Sequence, residues 1–198
     1  MARPRPVRGV KAGGRLAPNA RRVLAVRIGE VYQYDGDVAD PANVTELHDM
    51  RIACKRLRYL LEIFGAAFTA DLSPFVDEVK ALQDVLGDIH DCDVQVPMLE
   101  EHLRWLNARE GEAVAAVLAD GPLGGAPPRG AARVEAAYMS FRDRFDGARR
   151  ADERPGLHTL IAMRRARRDV LYAEFIERWR RLKKERFRAR LEDALGIG

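Results

Sequence analysis

The feature that most constrains the fold is a regular apolar repeat in the segment 43–69. Apolar side chains recur there at alternating steps of three and four residues, at Leu47, Met50, Cys54, Leu57, Leu61, Phe64 and Phe68. Because a helix has 3.6 residues per turn, these positions form one continuous apolar seam along a single helix. Such a seam has to be covered by other helices, so the repeat predicts a helical bundle.

The other helices are predicted from the same periodicity and from turn residues. Ser73 and Pro74 are typical of a helix start, and the helix that follows them has inward positions at Val79, Leu82, Leu86 and Ile89. The predicted helices cover about 18–33, 43–69, 73–90, 93–108, 110–119, 131–145 and 157–195. No segment alternates apolar and polar residues as a strand does, so the predicted fold class is all-α, an antiparallel helical bundle.

The chain of 198 residues is short enough to form one domain. Residues 1–17 contain proline and glycine without an apolar period, and we expect them to form a disordered basic arm. Residues 18–198 then form the helical bundle domain. No apolar run approaches the roughly 20 residues of a membrane span, and no stretch resembles a secretory signal. We therefore expect a cytoplasmic protein without membrane contact.

Charge is distributed unevenly along the chain, whose net charge is +4. Residues 1–30 contain eight Lys or Arg and one acid, and residues 156–198 contain twelve Lys or Arg and six acids, so the middle of the chain is acidic. This distribution indicates either a polyanionic partner or a bundle whose own faces pair. Most of the bases are arginine, which favours a phosphate partner, although a GC-rich genome would give the same bias.

Four basic side chains lie beside the apolar seam rather than opposite it: His48, Arg51, Lys55 and Arg58. Bases at the edge of a core are partly desolvated, which is unfavourable unless they meet anions. Asp84, Asp88 and Asp91 of the next helix could supply those anions. Alternatively, the bases line a groove for an anionic ligand. The residues alone leave both explanations open.

The C-terminal helix has a similar feature. Arg164, Arg168 and Arg178 lie on or beside its apolar face, which contains Leu160, Leu171, Phe175 and Leu182. Most other bases of this helix face away from it and are expected to be solvated.

Motifs of enzymes and metal sites are missing from the sequence. There is no Walker loop and no GxSxG, and the four histidines lack metal-ligand spacing. Cys54 and Cys92 are interpreted as core residues, and Asp91 and Asp93 as caps of the turn after the third helix. We therefore expect no catalysis, no metal and no cofactor.

Two motifs resemble a known family. HDMRIACKRLRYLLEIF, followed by VKALQDVLGDIHDCDV, is similar to the signature of CHAD domains, the conserved-histidine α-helical domains. The similarity is carried by His48, Arg51, Lys55, Arg58, Tyr59, Lys80, Gln83, Gly87, Asp91 and Asp93. It is strong over about 43–96 and looser elsewhere.

The resemblance implies an all-helical protein that binds inorganic polyphosphate in a basic groove and associates with polyphosphate granules. It implies that His48, Arg51, Lys55 and Arg58 contact phosphate, with Tyr59 and Lys80 beside them. CHAD domains often accompany triphosphate-tunnel enzymes, but this chain has no ExExK run of that kind.

This chain differs from the family pattern in one respect. Members usually contain two four-helix halves, each with a basic motif, whereas this chain has one clear copy and the length of about one half plus a long C-terminal helix. The second wall of the groove could come from a homodimer, or from Arg164, Arg168 and Arg178 in the same chain. We expect the latter, and therefore a monomer.

The predicted function is non-catalytic binding of inorganic polyphosphate. One alternative is a nucleic-acid-binding helical protein, supported by the basic arm and a pI of about 9.3. Another is an accessory module to a phosphate-metabolising enzyme.

Overall fold

A computed structural model describes residues 3–120, 131–148 and 154–197, in which six α-helices form. They are α1 (Leu16–Tyr32), α2 (Val44–Phe64), α3 (Ser73–Asp120), α4 (Ala131–Ala148), α5 (Arg154–Lys184) and α6 (Phe187–Leu195). Short 3₁₀ turns lie at Asp37–Ala39 and Gly65–Ala67. The described residues contain no strand, so the predicted all-α helical bundle is confirmed. None of these helices is long and apolar enough to cross a membrane.

The chain divides into two compact units, Met1–Val94 with Arg165–Gly198, and Gln95–Arg164. The first unit contains the main core, and the predicted seam is part of it: Leu47, Met50, Cys54, Leu57 and Leu61 are buried, with Phe64 and Phe68 packed against them. The inward positions predicted on α3 are also buried. Each such side chain contributes about 1.5–3 kcal/mol when fully buried, so this seam is a major source of stability.

The last part of α5 is anchored to the segment that joins α1 and α2. The indole Nε1 of Trp179 donates a hydrogen bond to Asp35 Oδ1 over 2.8 Å, and the hydroxyl of Tyr172 donates to the Val38 carbonyl over 3.0 Å. Phe175 is fully buried in the same core. These contacts hold α5 in place beside the elements that carry the candidate site.

The second unit contains the end of α3, all of α4 and the start of α5. Ion pairs join Arg144 to Asp120 and Arg154 to Glu110. Of its residues whose burial the structure describes, Ile161 alone is buried, and Leu160, expected to face inward, is 38% exposed. This unit therefore has little apolar core among its described side chains.

The expected break after the third helix is wrong, because α3 runs without interruption from Ser73 to Asp120. Pro97 lies inside it at an exposed position, and the Asp93 carbonyl loses the helical donor that a residue other than proline would provide. Asp91 and Asp93 therefore do not cap a turn. The separate helices predicted over 93–108 and 110–119 are parts of α3.

The single long helix predicted over 157–195 is also wrong, because the chain turns between α5 and α6. Arg186 adopts a left-handed conformation with φ of 52° and ψ of 40°. Phe187, Leu191 and Leu195 are buried as a result. Their burial outweighs the roughly 1–2 kcal/mol that a left-handed residue other than glycine costs.

The segment expected to be a disordered arm lies against α1 over its described residues. The backbone N–H of Arg5 donates to Glu30 Oε1 and its guanidinium donates to Gln33 Oε1, each over 2.5 Å. Lys11 and Asn19 exchange two hydrogen bonds, and α1 begins at Leu16 rather than near residue 18. These contacts tie the backbone of the segment to α1.

We predict that Arg186→Gly stabilises the protein, because glycine adopts the left-handed conformation without the steric cost of a Cβ. The free energy of unfolding in urea should rise by about 0.5–1 kcal/mol. Arg180→Gly is the control, since Arg180 is exposed within α5 and glycine there should cost about 1 kcal/mol. An equal decrease in the free energy of unfolding in the two variants would contradict the prediction.

Candidate functional site

The candidate site is built on facing residues of α2 and α3. Three contacts join the helices, His48 to His90, Arg51 to Gly87, and Arg58 to Gln83. As the residue number rises along α2 it falls along α3, so these two helices run antiparallel, as predicted for the bundle. The bases of α2 thus lie along one edge of the helix pair.

Arg58 is held in one orientation by three neighbours. Its Nε donates to Gln83 Oε1 over 2.9 Å, and its Nη1 donates to Glu62 Oε1 over 2.7 Å. The guanidinium carbon lies 4.3 Å from the centre of the Tyr59 ring, within the range of a cation–π contact. None of these contacts uses Nη2, so a fixed guanidinium keeps two N–H groups for an anion.

Arg51 is partly buried and lies directly against α3. A Cβ placed on Gly87 would be 3.5 Å from the Nε of Arg51, so the missing side chain at Gly87 allows this close approach. The Nε is buried and has no hydrogen-bond partner among the described residues. Leaving a charged group without its bonds at the edge of a core is unfavourable, and an anion nearby would offset that cost.

His48 contacts a second histidine, His90 of α3. Its Nδ1 is 3.1 Å from Nδ1 of His90, with ring centres 4.3 Å apart and planes inclined by 39°. The pKa of His48 is lowered, first by burial and then by His90 and Arg51, while Asp49 opposes the shift. His90 could have been found from its spacing, since it lies three residues, about one turn, after Gly87.

Lys55, Tyr59 and Lys80 form the exposed part of the site. The Lys55 ammonium lies 5.9 Å from the centre of the Tyr59 ring, and Tyr59 is 43% exposed. Lys80 is exposed on α3 and forms no ion pair with any residue the structure describes. These side chains are accessible to a ligand.

The acids of α3 do not neutralise the bases of α2. Within the described part of the chain, no ion pair joins the α2 bases to Asp84, Asp88 or Asp91, and Asp88 pairs with Arg167 of α5 over 3.2 Å. Of His48, Arg51, Lys55 and Arg58, Arg58 alone forms an ion pair with a described residue, and its partner Glu62 lies on α2 itself. The alternative in which α3 supplies the counter-charges is therefore not the arrangement seen.

Two of the α5 arginines proposed as a second wall are instead paired with acids. Arg168 Nε lies 2.5 Å from Asp93 Oδ1, and its Nη2 donates to the Pro41 carbonyl over 2.7 Å. Arg178 lies between Glu174 and Glu78, at 3.5 and 4.0 Å. Arg164 is partly exposed and belongs to the second unit. The structure thus sets His48, Arg51 and Arg58 against α3, on which Lys80 is exposed, but engages Arg168 and Arg178 elsewhere.

Neither cysteine is placed for chemistry. Cys54 and Cys92 are both buried, as expected for core residues, and burial raises the pKa of the Cys54 thiol to about 12. Across the described ranges, no three His, Cys, Asp or Glu side chains converge as metal ligands.

The sequence model for the CHAD domain matches residues 2–100, half of the 198 residues. This chain belongs to the CHAD domain family. The matched range contains α1, α2 and the first part of α3, and with them the whole set from His48 to Lys80. The family suggested by the two sequence motifs is therefore confirmed. No curated protein and no solved structure matches this chain.

We predict that Arg168→Ala destabilises the fold, because it leaves Asp93 charged and mostly buried. The two side chains are 16% and 11% exposed, and breaking such a pair costs about 3 kcal/mol. Arg167→Ala is the control, since the Arg167–Asp88 pair is 56% and 51% exposed and should contribute less than about 1 kcal/mol. Urea unfolding measures both, and similar losses would contradict a structural role for Arg168.

We also predict that the ligand-free protein loses stability as the pH falls below the ordinary histidine value of about 6.5. Because the pKa of His48 is lower in the folded chain, the unfolded chain binds more protons in this range. Melting temperatures from pH 7.5 to 5.5 should fall less in His48→Gln than in the original protein. His158→Gln, at an exposed position, is the control. Identical pH profiles for all three proteins would exclude this effect of His48.

Proposed function

We propose that this CHAD domain binds inorganic polyphosphate without catalysis, on a basic surface formed by His48, Arg51, Lys55, Arg58, Tyr59 and Lys80. The observation that carries the proposal is the difference in ion pairing between the α5 arginines and the basic residues of this surface, within the described residues. Arg168 and Arg178 of α5 meet carboxylates, whereas among His48, Arg51, Lys55 and Arg58 the one ion pair with a described residue is Arg58–Glu62. Membership of the family supports the same ligand.

The spacing of the basic surface suits a linear phosphate polymer. His48 and Arg58 are ten residues apart, which is about 15 Å along a helix at 1.5 Å per residue. A phosphate chain has one charge per unit and no bases to be recognised, so a row of cations along one helix edge provides what it requires. Guanidinium groups donate paired hydrogen bonds to phosphate oxygens, and Arg58 is already oriented to do so.

The proposal excludes turnover of the polymer. Incubation of the protein with polyphosphate and Mg²⁺ should release no more orthophosphate than the Arg51→Ala variant does. Release that depends on the basic surface would show an enzyme instead. A binding module of this kind could serve a phosphate-metabolising enzyme or hold the protein at polyphosphate granules.

We predict that Arg51→Ala and Lys55→Ala each weaken polyphosphate binding without loss of the fold. Each removed contact releases fewer counterions, so the slope of log affinity against log salt should fall by about 0.7, the value for flexible single strands. Arg180→Ala, which removes an exposed base of α5, should change neither quantity. Dissociation constants measured for each variant over a series of salt concentrations test this prediction. Unchanged affinity with a sharply lower melting temperature would make Arg51 and Lys55 structural partners.

Competition with nucleic acid tests the main alternative. Single-stranded binding sites generally stack bases on several aromatic rings, whereas Tyr59 is the one aromatic residue of this basic surface. Polyphosphate should displace a labelled oligonucleotide at equal charge concentration. Tighter binding of single-stranded or duplex nucleic acid would overturn the proposal.

Because Arg168 and Arg178 are paired with acids, they do not supply the second wall expected within one chain. We further propose that the basic surface of a single chain suffices for binding, so that the protein acts as a monomer. Light scattering with and without polyphosphate should give a mass near 22.3 kDa per protein unit. A dimer that persists without ligand, at concentrations near the dissociation constant, would mean that a second copy supplies the other wall of the groove.

A further inference from the structure

The hydrogen bond between His48 and His90 limits how many protons the two rings can hold together. Their Nδ1 atoms are 3.1 Å apart, so one must donate a proton and the other must accept it. The pair can take up one additional proton and keep this contact, since the acceptor ring then stabilises an imidazolium. A second additional proton would put hydrogens on both Nδ1 atoms and break the contact.

We propose that His48 and His90 act as one proton-accepting unit of the phosphate site, uncharged in the free protein and singly charged when a phosphate group binds beside Arg51. This inference rests on the proposed function and adds to it a proton that accompanies the ligand. His90 becomes a positioning residue that shares the charge of His48.

The surroundings of His48 disfavour a positive charge on its ring in the free protein. Partial burial and the guanidinium of Arg51 disfavour a charge on His48, and Asp49 is the acid that favours it. On α3, Asp88 pairs with Arg167, and Asp91 is exposed.

The next acid of α3 is engaged as well, because Arg168 of α5 pairs with Asp93. Within the described residues, acids therefore compensate only part of the positive field at the pair. An additional cation there is unfavourable until an anion arrives.

A bound phosphate reverses this balance. Its negative charge offsets the field of Arg51 and favours an imidazolium beside it. The proton enters at a ring nitrogen, and the other ring accepts the hydrogen bond between the Nδ1 atoms. Because interior phosphates of a long chain keep a constant charge near neutral pH, the proton taken up belongs to the protein.

Calorimetric titration with long-chain polyphosphate tests the inference. Heats measured at one pH in buffers of different ionisation enthalpy give the number of protons bound with the ligand. We expect net uptake, and a loss of affinity with rising pH that approaches tenfold per pH unit, the limit for one proton. His48→Gln and His90→Gln should each abolish most of the uptake.

His158→Gln is the matched control, because His158 is exposed and lies outside the pair; it should retain the uptake. Binding without proton uptake in the original protein overturns the inference and leaves the proposed function standing. Uptake that survives His90→Gln removes His90 from the unit. Absence of polyphosphate binding overturns both proposals.

Imidazole NMR of the original protein keeps the test valid if His90→Gln does not fold. The chain has four histidines, so each can be followed separately. Without ligand, His48 should titrate at a lower pH than an ordinary imidazole, and polyphosphate should move its titration to higher pH. A His48 titration that polyphosphate leaves unchanged would overturn the inference.

Discussion

The close approach of α2 to α3 is the constraint on which the rest of the structure depends. The buried seam of α2 and the buried face of α3 press the two helices together, and Gly87 gives the space in which Arg51 crosses α3. The same antiparallel register sets Gln83 against Arg58 and His90 against His48. Core packing thus determines which groups meet the basic edge, and all three of these groups on α3 carry no negative charge.

The contrast with α5 shows why basic residues alone do not define a site. Both helices carry bases beside an apolar face, but Asp93 lies opposite Arg168, and Glu78 lies opposite Arg178 and Arg181. A helical wheel shows which residues of one helix share a face, but it does not show which acids from distant segments pack against that face. The α2 bases, the α2 seam and the inward face of α3 were therefore predictable from sequence, whereas the fate of the α5 arginines was not.

The two errors in helix boundaries have a common physical origin. A break was expected between residues 90 and 93, but α3 continues through it and past Pro97, and Arg186 lies in a segment without glycine or proline where the chain nevertheless turns. In each case a local preference of about 1–3 kcal/mol competes with the wider structure. Burial of Phe187, Leu191 and Leu195 illustrates how packing decides the outcome. Periodicity identified the elements, and tertiary burial decided where they end.

The proposed basic surface combines a side chain held by its neighbours with exposed side chains, and the two should contribute differently to binding. Arg58 is fixed by Gln83, Glu62 and Tyr59, so it loses little side-chain entropy when it binds an anion. Lys55 and Lys80 are exposed, and their flexible ammonium groups attract a polyanion with little orientational demand. For the proposed phosphate polymer, which has no bases to be recognised, we expect the exposed lysines to provide long-range attraction and Arg58 to provide fixed hydrogen-bond donors.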